Sequence, residues 1–308
     1  MKVYTPEYYA NFKCIADKCR HSCCIGWKIA VDSESMKKYT AKNSEYPFLE
    51  SIETSGAEHC FRLGEDERCP HLDKNGLCRI IIGMGEEYLC DICREHPRFY
   101  HRLGDRIEAG LGLVCEAAAE LILTSDTFPV SSELESEREE ESVSAPELDS
   151  AIIMSSRAAI SDILADKSIS LDEKLQRIEE KFGIPSDIHT AEEWISILSE
   201  LEVLDHEWLS LLSRADARAG INKHAEQYLE RLFGYLVYRH VSLAESRENM
   251  IARIGFAILG VRIVNAVISG LSKYDLLTVA DVARMYSSEI EYSEDNTAEL
   301  IFEFESAI

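Results

Sequence analysis

Ten cysteines, Cys14, Cys19, Cys23, Cys24, Cys60, Cys69, Cys78, Cys90, Cys93 and Cys115, all precede residue 116, and none of the remaining 193 residues is a cysteine. Thiolate is a soft, polarisable ligand suited to zinc and to iron–sulfur clusters. Such a centre needs about four ligands drawn from short-spaced groups on turns together with more distant ones. The groups here are Cys14-x4-Cys19-x3-Cys23-Cys24, Cys69-x8-Cys78, Cys90-x2-Cys93 and a separate Cys115. These nine form the ligand pool, while Cys60 stands outside every group and reads as a structural bystander. His21, His59, His71, His96 and His101 lie near the thiols but read as surface or hydrogen-bonding residues. The first residues, Met1 to Pro6, have no apolar stretch or small-residue cleavage site, so a cytoplasmic protein is expected. In that compartment crowded cysteines point to metal or redox chemistry rather than to disulfides.

The spacing leaves the metal open. Four-sulfur zinc sites usually show two CxxC pairs, and only Cys90–Cys93 has that form. The CxxxCxxC loop of radical S-adenosylmethionine enzymes begins at Cys19 and Cys23 but meets Gly26 where the third cysteine is needed. No glycine-rich strand–turn–helix fingerprint for a dinucleotide follows. The residues alone point to a metal–thiolate module and stop short of an activity.

The elements that must position these residues imply a mainly α fold. Residues 1–130 read as an irregular cysteine-rich metal-binding module with short helices at 5–19, 33–55 (interrupted near Pro47), 85–96 and 114–124, and one hairpin around Arg98–Gly110. Residues 131–150, SSELESEREEESVSAPELDS, read as an acidic Ser-rich linker or loop. Residues 151–308 read as an all-α domain. Ser170 with Glu173 and Thr190 with Glu193 are capping-box patterns, and longer helices are expected at 222–244, 248–271, 276–286 and from about Asn296.

Composition excludes several classes. Hydrophobic residues make up 46 % of the chain, enough for a packed core. The most apolar stretch, Ile251 to Leu271, is interrupted by Arg253, Arg262 and Asn265 and reads as an amphipathic or buried helix rather than a membrane span. The formal charge of −24 is uneven, with 16 Lys/Arg against 21 Asp/Glu up to residue 130 and 16 against 35 beyond it. Nucleic-acid binding depends on cations neutralising phosphates, so no nucleic-acid partner is expected. The acidic surface keeps the chain soluble and would suit a basic, lysine-bearing partner.

The order of motifs resembles the flagellin lysine N-methylase family. The matching stretches are Phe12–Ala16 through Cys19, Cys23-Cys24-Ile25-Gly26-Trp27, Cys69–Leu72, Gly76–Cys78, Gly85–Arg94 and Pro97-Arg98, followed by Tyr235–His240 and Ser288–Ser293. The resemblance implies a 4Fe–4S cluster and methyl transfer from S-adenosylmethionine to lysines of flagellin, with a ligand pool of Cys14, Cys19, Cys23, Cys24, Cys69, Cys78, Cys90, Cys93 and Cys115. It does not assign which four bind one cluster, whether a second metal site exists, or whether the cluster is catalytic or structural. Arg94, His96 and Arg98 could bind the cosubstrate carboxylate or neutralise the cluster. Glu289, Glu291 and Tyr292 could receive or deprotonate the lysine ammonium, or form an exposed acidic helix end. Tyr238, Arg239 and His240 could form a brace or a site, and Trp27 reads as packing. The competing reading is a non-enzymatic metal-binding or electron-transfer protein with an iron–sulfur or zinc site.

Overall fold

The chain enters its fold through strand β1 (Lys2–Thr5), where the expected helix over 5–19 would begin. In that region only two short 3-10 turns form, Glu7–Asn11 and Ala16–Lys18. Pro6, in extended backbone ahead of the first turn, removes a donor and separates strand from turn. The computed structural model describes residues 2–64, 66–128, 132–134 and 147–308.

Two compact units emerge: Lys13–Arg98, and Met1–Phe12 together with Phe99–Ile308. The chain therefore does not divide at the expected residue 130. Residues 99–128 pack with the helices that follow them, because the hairpin there recruits β1 and the next helix joins the main core. Of the expected linker at 131–150, only 132–134 and 147–150 fall within the described residues.

In the unit Lys13–Arg98, helix α1 (Ser33–Lys42) starts at Asp32, whose Oδ1 accepts the Ser35 amide at 2.8 Å. The helix expected to continue to residue 55 gives way to an antiparallel hairpin, β2 (Ile52–Ser55) and β3 (Glu58–Phe61), with Ile52 opposite Phe61. Gly56, at φ +62°, makes the turn that β-branched Ile52 and Thr54 lead into. Short helices α2 (Arg79–Met84) and α3 (Asp91–Glu95) follow. Their core is aromatic, with Tyr39 stacked on Phe48 at 4.2 Å beside Phe61, Ile29 and Ile80.

The second unit contains the expected hairpin, β4 (Arg98–Leu103) and β5 (Arg106–Leu111), turning at Gly104. Helix α4 (Glu116–Thr124) and strand β6 (Ser132–Leu134) follow. The sheet order is β4-β5-β1-β6, with β1 parallel to β5 and antiparallel to β6. Helices α5 (Ser150–Ala165), α6 (Leu171–Phe182), α7 (Ala191–Glu200) and α8 (His206–Leu212) lead to α9 (Glu226–His240), α10 (Arg247–Leu271), α11 (Leu276–Tyr286) and α12 (Glu294–Glu305). Thr190 and Glu193 complete a reciprocal capping box, and Ser170 Oγ accepts the Glu173 amide at 3.3 Å. A π-helical turn, Ser287–Glu291, joins α11 to α12.

Helix α10 is long and apolar enough to cross a membrane by length and composition, yet 78 % of its most apolar window is buried within the protein. Its polar interruptions have protein partners. Arg262 pairs with Glu179 at 2.9 Å, and Asn265 donates to the Ala219 carbonyl at 3.0 Å. Gly270, near its end, leaves room for the Arg214 carbonyl, which a β-carbon would strike. Gly270→Ala should therefore destabilise the fold by about 1–3 kcal/mol, read as a lower denaturation midpoint; an unchanged midpoint would show that residues 214–215 move aside freely.

Candidate functional site

Five thiols converge in the unit Lys13–Arg98. Cys24, Cys69, Cys78, Cys90 and Cys93 lie close enough for their charges to act on one another's ionisation. Burial pushes the Cys69 thiol up to about 11 and raises Cys78, with the neighbouring thiols adding to the effect. A hydrogen bond from Cys23 outweighs burial at Cys24 and holds it at about 7. Cys90 and Cys93 share a hydrogen bond that lowers the first and raises the second, so Cys90 is the readier thiolate. A set of buried and half-buried soft donors that repel one another as anions is a set a metal centre would stabilise. Among the described residues, no three His, Cys, Asp or Glu side chains are spaced to hold a single ion.

Several polar contacts fix the loops that bring these thiols together. The Cys69 amide donates to the Cys24 carbonyl at 2.8 Å, and Gly26, at φ +89°, turns the chain so that its amide reaches the Glu67 carbonyl at 3.2 Å. Trp27 Nε1 donates to the Cys23 carbonyl at 2.6 Å. Asp32 spans two elements, its Oδ2 accepting the Asp91 amide at 2.9 Å where α3 begins between Cys90 and Cys93. Tyr39 Oη donates to the Tyr88 carbonyl at 2.7 Å just before Cys90. Buried His71 lies 2.9 Å from Tyr46 Oη through Nδ1 and 2.9 Å from Ser51 Oγ through Nε2, so both ring nitrogens are engaged within the fold.

The rest of the ligand pool is Cys14, Cys19, Cys23 and Cys115, of which Cys23 borders the group through its hydrogen bond with Cys24. Cys14 is exposed and accepts the Ala16 amide at 3.4 Å, while Cys19 donates to the His21 carbonyl at 3.2 Å. Cys23 is exposed beside Cys24. Cys60 is buried in β3, bridged to Ala30. Cys115 belongs to the other unit, at the N-terminus of α4. Among the basic residues near Cys93, Arg94 is bonded to Asp91 and lies 3.7 Å from Glu95. His96 is held down at about 4 by burial, and Arg98 reaches the Arg94 carbonyl at 3.5 Å. The acids on its own helix thus already compensate Arg94, and His96 is neutral near pH 7.

In the helical unit, Glu289 and Glu291 do not form an exposed acidic helix end, because the π-helical turn directs both inward. Glu289 accepts the Leu204 amide at 2.9 Å and the Asp205 amide at 2.7 Å. Glu291 accepts from Tyr235 Oη at 3.2 Å, lies 2.7 Å from His240 Nε2 and faces Arg239 Nε at 3.5 Å. Burial would raise Glu291, but Arg239 and His240 outweigh it and keep it ionised. Arg239 donates to Tyr235 Oη at 2.8 Å and lies 5.1 Å from the Phe99 ring and 4.8 Å from that of Tyr292. The Leu113 amide donates to Tyr235 Oη at 3.2 Å, tying the segment before Cys115 to the same network. Tyr292 keeps 43 % of its surface open, while packing around its hydroxyl raises the phenol above its ordinary range.

A second buried carboxylate, which sequence reasoning missed, repeats this construction. Glu108 on β5 bonds Arg106 and lies 2.5 Å from Arg157 Nη1, and Arg157 sits 4.9 Å from the Tyr238 ring and 5.2 Å from that of Phe128. Within the electrostatic reach of Arg157 and Arg239 is His101, buried with neither ring nitrogen hydrogen-bonded. A charged residue inside a short hairpin was the one visible signal for Glu108.

Over 134 residues, 39 % of the chain, the sequence is 29 % identical to a lysine-N-methylase of Salmonella choleraesuis and equally to one of Salmonella typhimurium. The chain is a relative of the lysine N-methylases. It spans about a third of the length of these two, 32 % in each case. The flagellar biosynthetic protein FliU of Salmonella muenchen matches at 28 % identity over 76 % of its own length. No family model and no solved structure matches.

Two outcomes follow for this lysine N-methylase relative. Glu291→Ala strands the Arg239 charge and should cost about 3–5 kcal/mol, measured by denaturant unfolding. His101 is held down at about 3, chiefly by burial, with Arg239 and His240 adding to it. The fold therefore gains from a neutral His101 at pH values above the unfolded value near 6.5, and loses that contribution as pH falls from there toward 3. The slope for this proton is at most about 1.4 kcal/mol per pH unit. His101→Phe should flatten part of the acid limb of the stability curve; identical curves would mean that His101 meets water in the folded state.

Proposed function

We propose that the chain is a protein lysine N-methyltransferase that takes its methyl group from S-adenosylmethionine, acts on flagellin lysines in the cytoplasm and carries a 4Fe–4S cluster on thiols of residues 13–98. The observation that carries this reading is the similarity to proteins named lysine-N-methylase. The name of the FliU relative supports a flagellar substrate. The convergence of Cys24, Cys69, Cys78, Cys90 and Cys93 supports a thiolate-held cluster, with these five as the preferred pool for its four ligands. When bound, the cluster supplies a thiolate-ligated, redox-active centre.

In the reaction, a lysine amine that has lost its proton attacks the methyl carbon. The nitrogen–carbon bond forms as the carbon–sulfonium bond breaks, and the thioether leaves with the electron pair. Alignment of the three centres is the main demand on the protein. Glu289 and Glu291 are positioning residues in this scheme, since their oxygens are engaged by backbone amides and by His240, Tyr235 and Arg239 respectively. Tyr292 is the member of the trio with an open surface for substrate. The uncompensated acidity of residues beyond 130 favours a lysine-bearing partner.

Anaerobic purification followed by metal analysis tests the cluster. The expected protein is brown and contains iron and sulfide, and Cys93→Ser loses most of it while Cys60→Ser keeps it. A colourless zinc protein, or iron retained in Cys93→Ser and lost in Cys60→Ser, would overturn the ligand assignment. Incubation with labelled S-adenosylmethionine and purified flagellin tests the activity, with label expected on lysine. Cosubstrate binding without transfer would remove flagellin as substrate.

A further inference from the structure

We infer that Arg239, beside Tyr292, is a carboxylate anchor in the helical unit for the amino-acid end of a small ligand. The guanidinium is held in place before any ligand arrives, by Tyr235 Oη at 2.8 Å, by Glu291 at 3.5 Å and by the rings of Phe99 and Tyr292. Its side chain is 12 % exposed, and the neighbouring Tyr292 is the open member of the group. A planar cation held by Tyr235, Glu291 and Tyr292 that keeps part of its surface open suits a two-oxygen anion, which a guanidinium binds through paired hydrogen bonds. The adjoining aromatic surface suits the apolar or cationic remainder of such a ligand better than a second anionic group.

His101 supplies an independent observation. It is 8 % exposed, lies 5.0 Å from the Phe99 ring that Arg239 covers, and neither of its ring nitrogens has a hydrogen-bond partner. A buried imidazole left in this state carries a desolvation cost that a polar ligand atom, directly or through a water, would remove. The π-helical turn points the same way. It turns Glu291 inward to hold Arg239 and leaves Tyr292 across the guanidinium, an irregularity of the kind that recurs at functional sites.

The identity of the ligand as S-adenosylmethionine rests on the methyltransferase reading; the carboxylate site does not. The test is calorimetric titration of the anaerobically prepared holoprotein with S-adenosylmethionine, with methionine, and with 5′-methylthioadenosine, which lacks the amino-acid end. Arg239→Lys keeps the charge but loses the fork, and should weaken S-adenosylmethionine about tenfold or more while leaving 5′-methylthioadenosine unchanged. If Arg239→Lys does not fold, Tyr292→Ala at its partly exposed position carries the same expectation. Methionine, but not its methyl ester, should compete with S-adenosylmethionine for the wild-type protein. Unchanged S-adenosylmethionine affinity in a folded Arg239→Lys, or equal loss for both nucleosides, overturns the anchor and leaves the methyltransferase reading standing. A wild-type protein that binds methionine in an Arg239-dependent way but not S-adenosylmethionine keeps the anchor and removes that reading. Binding of none of the three probes overturns the anchor.

Discussion

A carboxylate with no exposed surface stays ionised only where cations and donors surround it, and Glu291 draws the helical unit together on that condition. His240, Tyr235 and Arg239 come from α9, Glu291 from the π-helical turn, and the Tyr235 hydroxyl reaches on to the Leu113 amide. Removing charge from water is costly unless geometry and extra hydrogen bonds restore what is lost. The arrangement therefore specifies the register of α9 against the turn more sharply than apolar packing alone would. Glu108 with Arg106 and Arg157 applies the same rule on β5, again with an arginine lying against aromatic rings. In both places the arginine is charged and lies against aromatic rings.

The unit Lys13–Arg98 obeys a different constraint. It has little regular structure to hold its thiols, so individual polar contacts serve instead. Asp32 bridges the starts of α1 and α3, Tyr39 holds the turn before Cys90, and His71 locks the residues after Cys69 between Tyr46 and Ser51. Each contact sits within a few residues of a convergent cysteine. Burial and mutual repulsion raise Cys69 and Cys78, whereas hydrogen bonds from neighbouring thiols lower Cys24 and Cys90.

Much of the helical architecture was legible in the sequence, because helices are local. Thr190 and Glu193 announced α7, and α11 occupies the expected residues 276–286. The hairpin at β4 and β5 was also visible, since strand–turn–strand alternation is a short-range signal. The parallel pairing of β1 with β5 was not, because its partners are more than 100 positions apart and four residues carry no periodicity. The same contact groups Met1–Phe12 with the residues from Phe99 on. Helix propensity also misled at 5–19 and 52–55, where Pro6 and the Gly56 turn favour other structure.

For the site, the sequence by itself determined the inventory: ten cysteines in the first 115 residues, an acidic remainder, and motifs shared with the lysine N-methylases. Composition and spacing suffice for that, since ligand chemistry belongs to residue type. Only the tertiary structure decided which of these groups meet. It brought Cys24, Cys69, Cys78, Cys90 and Cys93 within electrostatic reach of one another and left Cys14 exposed. It also placed Glu289 and Glu291 in the interior rather than at an exposed helix end, and left His101 without a hydrogen-bond partner. Those outcomes depend on burial and on residues far apart in the chain, and local sequence carries neither.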